Sequence, residues 1–465
     1  MSRTVEELRA RIRELARQRL EALREEARAP DFSQRATFSH MVGVYVLANA
    51  VPDLRMVVEG PDCTHLKTQY LEGNHDLEAN LTSLTGLHRV ANTALYPSSL
   101  IGSREEPVRE LIERLGQAED TGAVMLAPMP MAAITGADYD RLCVEAEEAC
   151  GVPCFALRGS PISGDWLDGF DAALLALAEK LPLPGAEADP QKVALVGYLW
   201  DRNEQDHHAN LALLGRYLEA LGLELCSTWP SGVSVEALGA VAEAGTILSL
   251  PYGRAAARAL RRRLDRPVLE LELPFGFDAS ERFLKAIGAH FGVEEEAAAL
   301  CEAGYASTVP RLEWLVPLVF QGLRAGYIGD PHLAEGFAEM IHLLGGELAF
   351  ALISNRQGPR EGCDLGVPEG RLLTHPTMRS LRLLEAEVIA EARLHLVVTN
   401  LLGGVLESPE PALVELGFPS VYTHALHPTP FLGFEGALAF LERVANRLRM
   451  AEVEDARLLA WLRGL

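Results

Sequence analysis

A cysteine follows a strand-ending Gly-Pro in the segment Val58-Glu59-Gly60-Pro61-Asp62-Cys63-Thr64. The apolar run 54–58 reads as a strand, and a strand that stops at Gly-Pro delivers its next side chains to the carboxyl edge of a sheet. In α/β proteins that edge is where ligands bind. A thiolate there can hold iron or attack a substrate, whereas a buried cysteine elsewhere only packs. The local pattern leaves both readings open. His424, His427 and the Pro428–Pro430 turn follow a predicted strand over 420–423 and either bind a substrate or stiffen the loop. His207 and His208 follow the acidic loop 201–206. Adjacent histidines point in different directions, so they read as a solvated helix start rather than a metal pair. Cys143 and Cys150 are seven apart on one helix face and Cys154 opens a strand, which predicts three buried thiols. No phosphate-cradling Walker loop, nucleophile-elbow serine or HExxH zinc helix is present. The loop at Gly197 lacks the second and third glycines of a dinucleotide fingerprint. ATP and nicotinamide chemistry are therefore not expected on this chain.

The elements that must position these residues alternate regularly. Residues 4–27 form a highly charged helix with a thin apolar stripe, an arm expected to pack on the body or on a partner. Strands are predicted over 123–127 and 154–157, with helices over 138–150 and 166–181. A proline-rich stretch, 181–190, reads as a linker. The alternation restarts with strands over 192–199, 223–226, 246–250 and 267–272, helices over 209–221, 235–244 and 254–264, and a helical passage over 279–322. A third block has strands over 326–329, 347–353, 394–399 and 420–423, with helices over 332–344, 378–392 and 435–450. Such alternation is the mark of βαβ units on parallel sheets. The chain is thus expected to be α/β, with an N-terminal helical arm (1–33) and three Rossmann-like parallel-sheet domains at 34–185, 190–322 and 323–465.

Composition narrows the class. At 465 residues the chain exceeds one ordinary core. Its 65 acidic against 42 basic residues give a net charge of −23, which argues against nucleic acid or an anionic membrane as partner. No continuous apolar run reaches the ~18 residues of a membrane span, and the charged N-terminus predicts a cytoplasmic protein. Seven cysteines, an odd number spread along the chain, do not read as a disulfide framework.

Several segments, in order, resemble nitrogenase component 1 proteins. Gly60-Pro61-Asp62-Cys63 is similar to the family's Gly-Pro-x-Gly-Cys ligand segment. Residues 51–53, 102–112 and 127–138 are similar to its lead-in, helix-start and Cys-Pro-x-x-x-Ile-Gly-Asp-Asp stretches. Residues 273–284 and 424–437 resemble stretches of the one-cysteine subunit of chlorophyllide a reductase. The likeness spans roughly 36–448, and the shared order of the motifs carries it.

The resemblance implies a fold of three nitrogenase component 1 type domains and a role in electron transfer. A cluster-binding subunit of this family offers three cysteines. Here the first position falls near Thr37 to Ser39 and the third at Met129, so Cys63 alone matches. A [4Fe–4S] cluster needs four ligands. A homodimer would bring two copies of Cys63 and still lack two ligands, unless His40, Asp62 or water fills in; the resemblance implies instead one cluster shared with a sister subunit that supplies three cysteines. It also implies an ATP-dependent iron–sulfur reductase as electron donor and an organic, tetrapyrrole-like or other small-molecule substrate between the subunits. Glu59 and Asp62 flank the ligand and either tune it or form a polar strand end at the subunit surface. His424, His427 and Asp278 are the proton-donor candidates by position. Two other functions fit the same residues: a cofactor-assembly scaffold without turnover, and a cluster-free binding or sensor relative in which Cys63 is a relic.

Overall fold

The structure, a computed structural model, describes residues 3–61, 64–83, 87–96, 98, 104–132, 136–158, 164–400 and 406–463. After the arm helix α1 (Arg3–Glu26) come α2 (His40–Asn49), β1 (Leu54–Glu59), α3 (Thr64–Tyr70), β2 (Val90–Asn92), α4 (Glu105–Gly116), β3 (Ala123–Pro128), α5 (Tyr139–Cys150), β4 (Cys154–Ala156) and α6 (Trp166–Lys180). The second unit holds β5 (Asp189–Val196), α7 (Gln205–Ala220), β6 (Glu224–Trp229), α8 (Val235–Leu238), β7 (Ala244–Ser249), α9 (Arg254–Leu264) and β8 (Val268–Glu270), and the helices α10 (Phe277–Phe291) and α11 (Glu294–Leu312) follow it in the chain. The third holds β9 (Arg324–Gly329), α12 (Pro331–Leu343), β10 (Glu347–Ile353), β11 (Leu372–Thr374), α13 (Met378–Glu391), β12 (Leu396–Thr399), β13 (Ala412–Glu415) and α14 (Gly433–Arg463). Three separate sheets result, ordered β2-β1-β3-β4, β6-β5-β7-β8 and β11-β10-β9-β12-β13. Every pairing among the named strands is parallel. The α/β expectation of three parallel-sheet domains with a helical arm holds.

Burial explains what the sequence pattern did and did not reveal. All ten residues of α2 are buried, so no polar face gives it a helical period, and no helix was expected there. It lies directly on α6: a β-carbon on Gly43 would stand 1.7 Å from the Trp166 carbonyl oxygen, and one on Gly169 1.9 Å from that of His40. Only hydrogen fits between these backbones. Gly43→Ala is therefore expected to cost at least ~1–3 kcal/mol of stability in urea unfolding. Gly185→Ala, where nothing lies within 4 Å, serves as the near-neutral comparison.

α6 also ties the first unit to the second. Arg263 of α9 donates to the carbonyls of Ala178 (2.6 Å) and Leu181 (2.7 Å), at the start of the proline-rich stretch. The arm packs on the third unit. Leu20 and Leu23 are buried with Ala386 of α13, and Arg24 pairs with Glu387 at 3.1 Å.

Two expectations need correction. Residues 420–423 are not a strand, because the backbone N–H groups of Val421 and Tyr422 donate to the Glu415 carboxylate instead of a ladder. The strand in that region is β13, which ends earlier, at Glu415. The predicted helix over 235–244 is only α8 followed by a 3-10 turn, Gly239–Glu243, after which β7 begins at Ala244.

Candidate functional site at the strand ends

β1 and β3 are neighbours in register, with Glu59 opposite Pro128. Their carboxyl ends therefore deliver Gly60 and Met129 to one place. The Met129 amide donates to the Glu59 carbonyl at 3.0 Å, and a β-carbon on Gly60 would stand 2.4 Å from the Met129 Sδ. The position named third by the resemblance is thus in contact with the segment leading to the second. Asp62 and Cys63 lie outside the described residues. Near the first position, Phe38 faces Tyr70 at the end of α3, with ring centroids 6.3 Å apart. Ser39 bridges Asp165. His40 is buried among Asp168 and Asp165; burial lowers its pKa against the pull of those two carboxylates.

Glu59 is fully buried, which corrects the reading of a polar strand end at a subunit surface. Burial raises its carboxyl pKa, opposed by Thr93 and by the Arg104 guanidinium 3.6 Å away. Among the described residues no group of three or more His, Cys, Asp or Glu is gathered for a metal. Around Gly60 the described side chains offer a thioether and a carboxylate but no thiolate. They do not make up the four-ligand set of a [4Fe–4S] cluster.

A second centre joins all three units, and sequence reasoning missed it. Gly197 takes a φ of 88° where β5 passes against Gly253, and the chain then turns through Tyr198 and Trp200 to Asp201. Asp201 Oδ1 lies 2.7 Å from His207 Nε2, and Oδ2 lies 3.2 Å from His75 Nε2. His75 comes from the first unit, in a π-turn after α3. Its Nδ1 meets the backbone of Ser420, from the third unit, at 2.8 Å to the carbonyl oxygen and 3.0 Å to the amide nitrogen. Tyr198 holds the far side of His207, its hydroxyl 2.9 Å from Nδ1, and itself accepts from Asn210 at 3.0 Å.

His207 is buried while His208 is exposed, so the solvated-start reading holds for the second histidine only. Burial lowers the His207 pKa, but Asp201 and Asp206 outweigh it and the net shift is upward. Burial likewise raises Asp201, yet His207 and His75 outweigh it and hold its carboxyl well below the usual range. The available signal was position: an acidic run directly after a strand of a parallel sheet sits where ligand-side loops converge.

Beside this clamp is a cavity of 270 Å³ between the second and third units, lined among others by Arg202, Asp206, His424, His427, Phe431 and Arg443. The two histidines expected beside a cavity therefore are beside one, whereas Asp278 lies on the first turn of α10 and is not in its lining. Glu204, buried, faces His424 Nδ1 at 2.6 Å and accepts from the Ala425 amide at 2.6 Å. A carboxylate on Nδ1 fixes the ring and leaves Nε2 as its other working atom. Arg202 is buried against Asp206 at 2.6 Å.

The sequence pattern described as "Nitrogenase component 1 type Oxidoreductase" matches residues 39–449. The chain belongs to this family. Light-independent protochlorophyllide reductase subunit N of Heliobacterium modesticaldum is 29% identical over 226 residues, 43% of this chain and 49% of that one. The chain thus spans about half the length of that relative. The nitrogenase molybdenum-iron protein alpha chain of Methanothermobacter marburgensis is 23% identical over 366 residues, 76% of this chain and 73% of that one. A solved structure of nitrogenase Cp1 at pH 6.5 superposes with a TM-score of 0.75 at 15% identity, covering 90% of this chain and 93% of that one. That likeness gives the component 1 fold, and the matched family is by its description one of oxidoreductases. No helix among the described residues is long and apolar enough to cross a membrane.

Proposed function

We propose that the chain is a subunit of a nitrogenase-like reductase and gives one ligand, Cys63, to a [4Fe–4S] cluster shared with a sister subunit. The sister supplies the other three cysteines. The observation that carries this reading is the contact of Met129 with Gly60. The family's third ligand position abuts the segment that ends in Cys63, yet it holds a thioether. One thiolate from this side and three from another chain complete a four-ligand set. Large apolar side chains on the segments after β1 and β2 support a partner on this face: Leu66 (73% exposed), Leu77 (59%) and Tyr96 (51%).

In this proposal the shared cluster supplies single-electron transfer, and an ATP-dependent iron–sulfur reductase is the electron donor. The substrate is an organic small molecule taken at the junction with the sister subunit. At 270 Å³ the cavity beside His424 is at the small end for ligand pockets, too small to enclose a tetrapyrrole by itself. His424, oriented by Glu204, is its best-placed group for holding or moving a proton. The buried Glu59 carboxyl, next to the ligand segment, adds negative charge when ionised and so tunes the site's potential. Co-expression with a neighbouring nitrogenase-like chain and anaerobic purification tests the reading. The expected product is a heteromer with about four iron atoms per pair, against little iron on this chain alone. Full iron loading of this chain without a partner would refute it.

A further inference from the structure

We propose that Cys150 and Cys154 form a reversible dithiol–disulfide couple, closed by a low-molecular-weight disulfide. Their Sγ atoms lie 3.7 Å apart, Cys150 as the last residue of α5 and Cys154 as the first of β4. The three residues between them make a tight reversal. Gly151 caps α5 in the left-handed region at φ 76°, and the two thiols converge on the Val152 carbonyl, at 3.9 Å from Cys150 and 3.3 Å from Cys154. The Cys154 amide is anchored on the Glu147 carboxylate at 3.0 Å, which fixes the start of the strand. Room for the Cys150 side chain comes from α4, where a β-carbon on Gly116 would stand 2.5 Å from its Sγ. Closing the remaining gap to the ~2 Å of an S–S bond takes side-chain rotation at two element ends.

The two sulfurs differ in access, which orders the steps. Cys150 is half-buried and Cys154 is buried. The Cys150 thiolate attacks one sulfur of the small disulfide and expels one small thiol, leaving a mixed disulfide on Cys150. The Cys154 thiolate then attacks the Cys150 sulfur, and the second small thiol leaves. Two protein thiols have lost two electrons and two protons, and one small disulfide has become two thiols. Burial pushes the Cys154 thiol up, so closure quickens as pH rises, because the thiolate is the nucleophile. Cys143, two turns earlier on the same face of α5 and buried, is pushed up to about 12 and is left out of the exchange. The bond would clip α5 to β4, the edge strand beside β3, whose end carries Met129.

Oxidised glutathione is the probe, applied to the full-length chain, with alkylation of remaining thiols and peptide mass spectrometry as readout. Two of the seven thiols are expected to disappear into one Cys150–Cys154 linkage that dithiothreitol restores. Cys150→Ser and Cys154→Ala should each abolish the linkage, and Cys143→Ser should retain it, all with unchanged circular dichroism. Seven free thiols after equilibration, a linkage through Cys143, or a disulfide between two chains would overturn the proposal.

Discussion

Asp201→Asn is expected to lower the unfolding free energy by about 3–5 kcal/mol at pH 6, the usual loss when one partner of a buried ion pair is removed. The carboxylate serves two imidazoles from different units, at 2.7 Å and 3.2 Å, and asparagine cannot compensate a buried positive charge. The size of the loss follows the charge on His207. Its pKa is raised, so its contribution is complete below the ordinary 6.5 and is lost as pH rises through the higher folded value. Asp201 is shifted downward, so its contribution is present above the ordinary 3.8 and is lost as pH falls toward the folded value. The clamp therefore stabilises most between roughly pH 4 and a limit above 6.5. Urea unfolding of both proteins at pH 6 and pH 9 checks this. The gap should narrow at pH 9, and an equal gap below ~1 kcal/mol at both values would show that Asp201 does not hold the units together.

How much of this was legible in the sequence varies with the kind of signal. Strands such as β3, β7 and β10 and helices such as α9 and α12 appear as short apolar runs and amphipathic periods, because each has one environment along its length. α2 was invisible because it is buried on every side, and a decapeptide that is polar only at its ends, His40 and Asn49, carries no period. The loop at 420–423 looked like a strand because its aliphatic and aromatic residues suit one, yet the Glu415 side chain takes its amides. At the site, the Gly60 segment and Met129 could be linked through the ordered resemblance, and the sheet register brings them together. Position marked only the 201–206 part of the Asp201 clamp, since its members come from positions 75, 201, 207 and 420. Charge alone marked the 201–206 loop as solvated, and only the fold reveals that His75 and Ser420 close over it.

The second large effect concerns Cys63. With Met129 at the neighbouring strand end and no thiolate among the described side chains around Gly60, Cys63 would be this chain's only sulfur anion at the shared site. Losing one of four thiolates from a [4Fe–4S] cluster removes a ligand that neither a thioether nor the Glu59 carboxylate replaces with comparable affinity for iron. Cys63→Ala is therefore expected to reduce cluster iron and reductase activity by at least about tenfold, while the heteromer still assembles. Cys143→Ala, in the packed thiol group behind β3 and β4, should leave the iron unchanged. The most direct measurement is the iron content of the anaerobically purified complex with the sister subunit, wild type beside Cys63→Ala. About four iron atoms per pair are expected in the first and nearly none in the second; equal iron in both would show that Cys63 is not a cluster ligand.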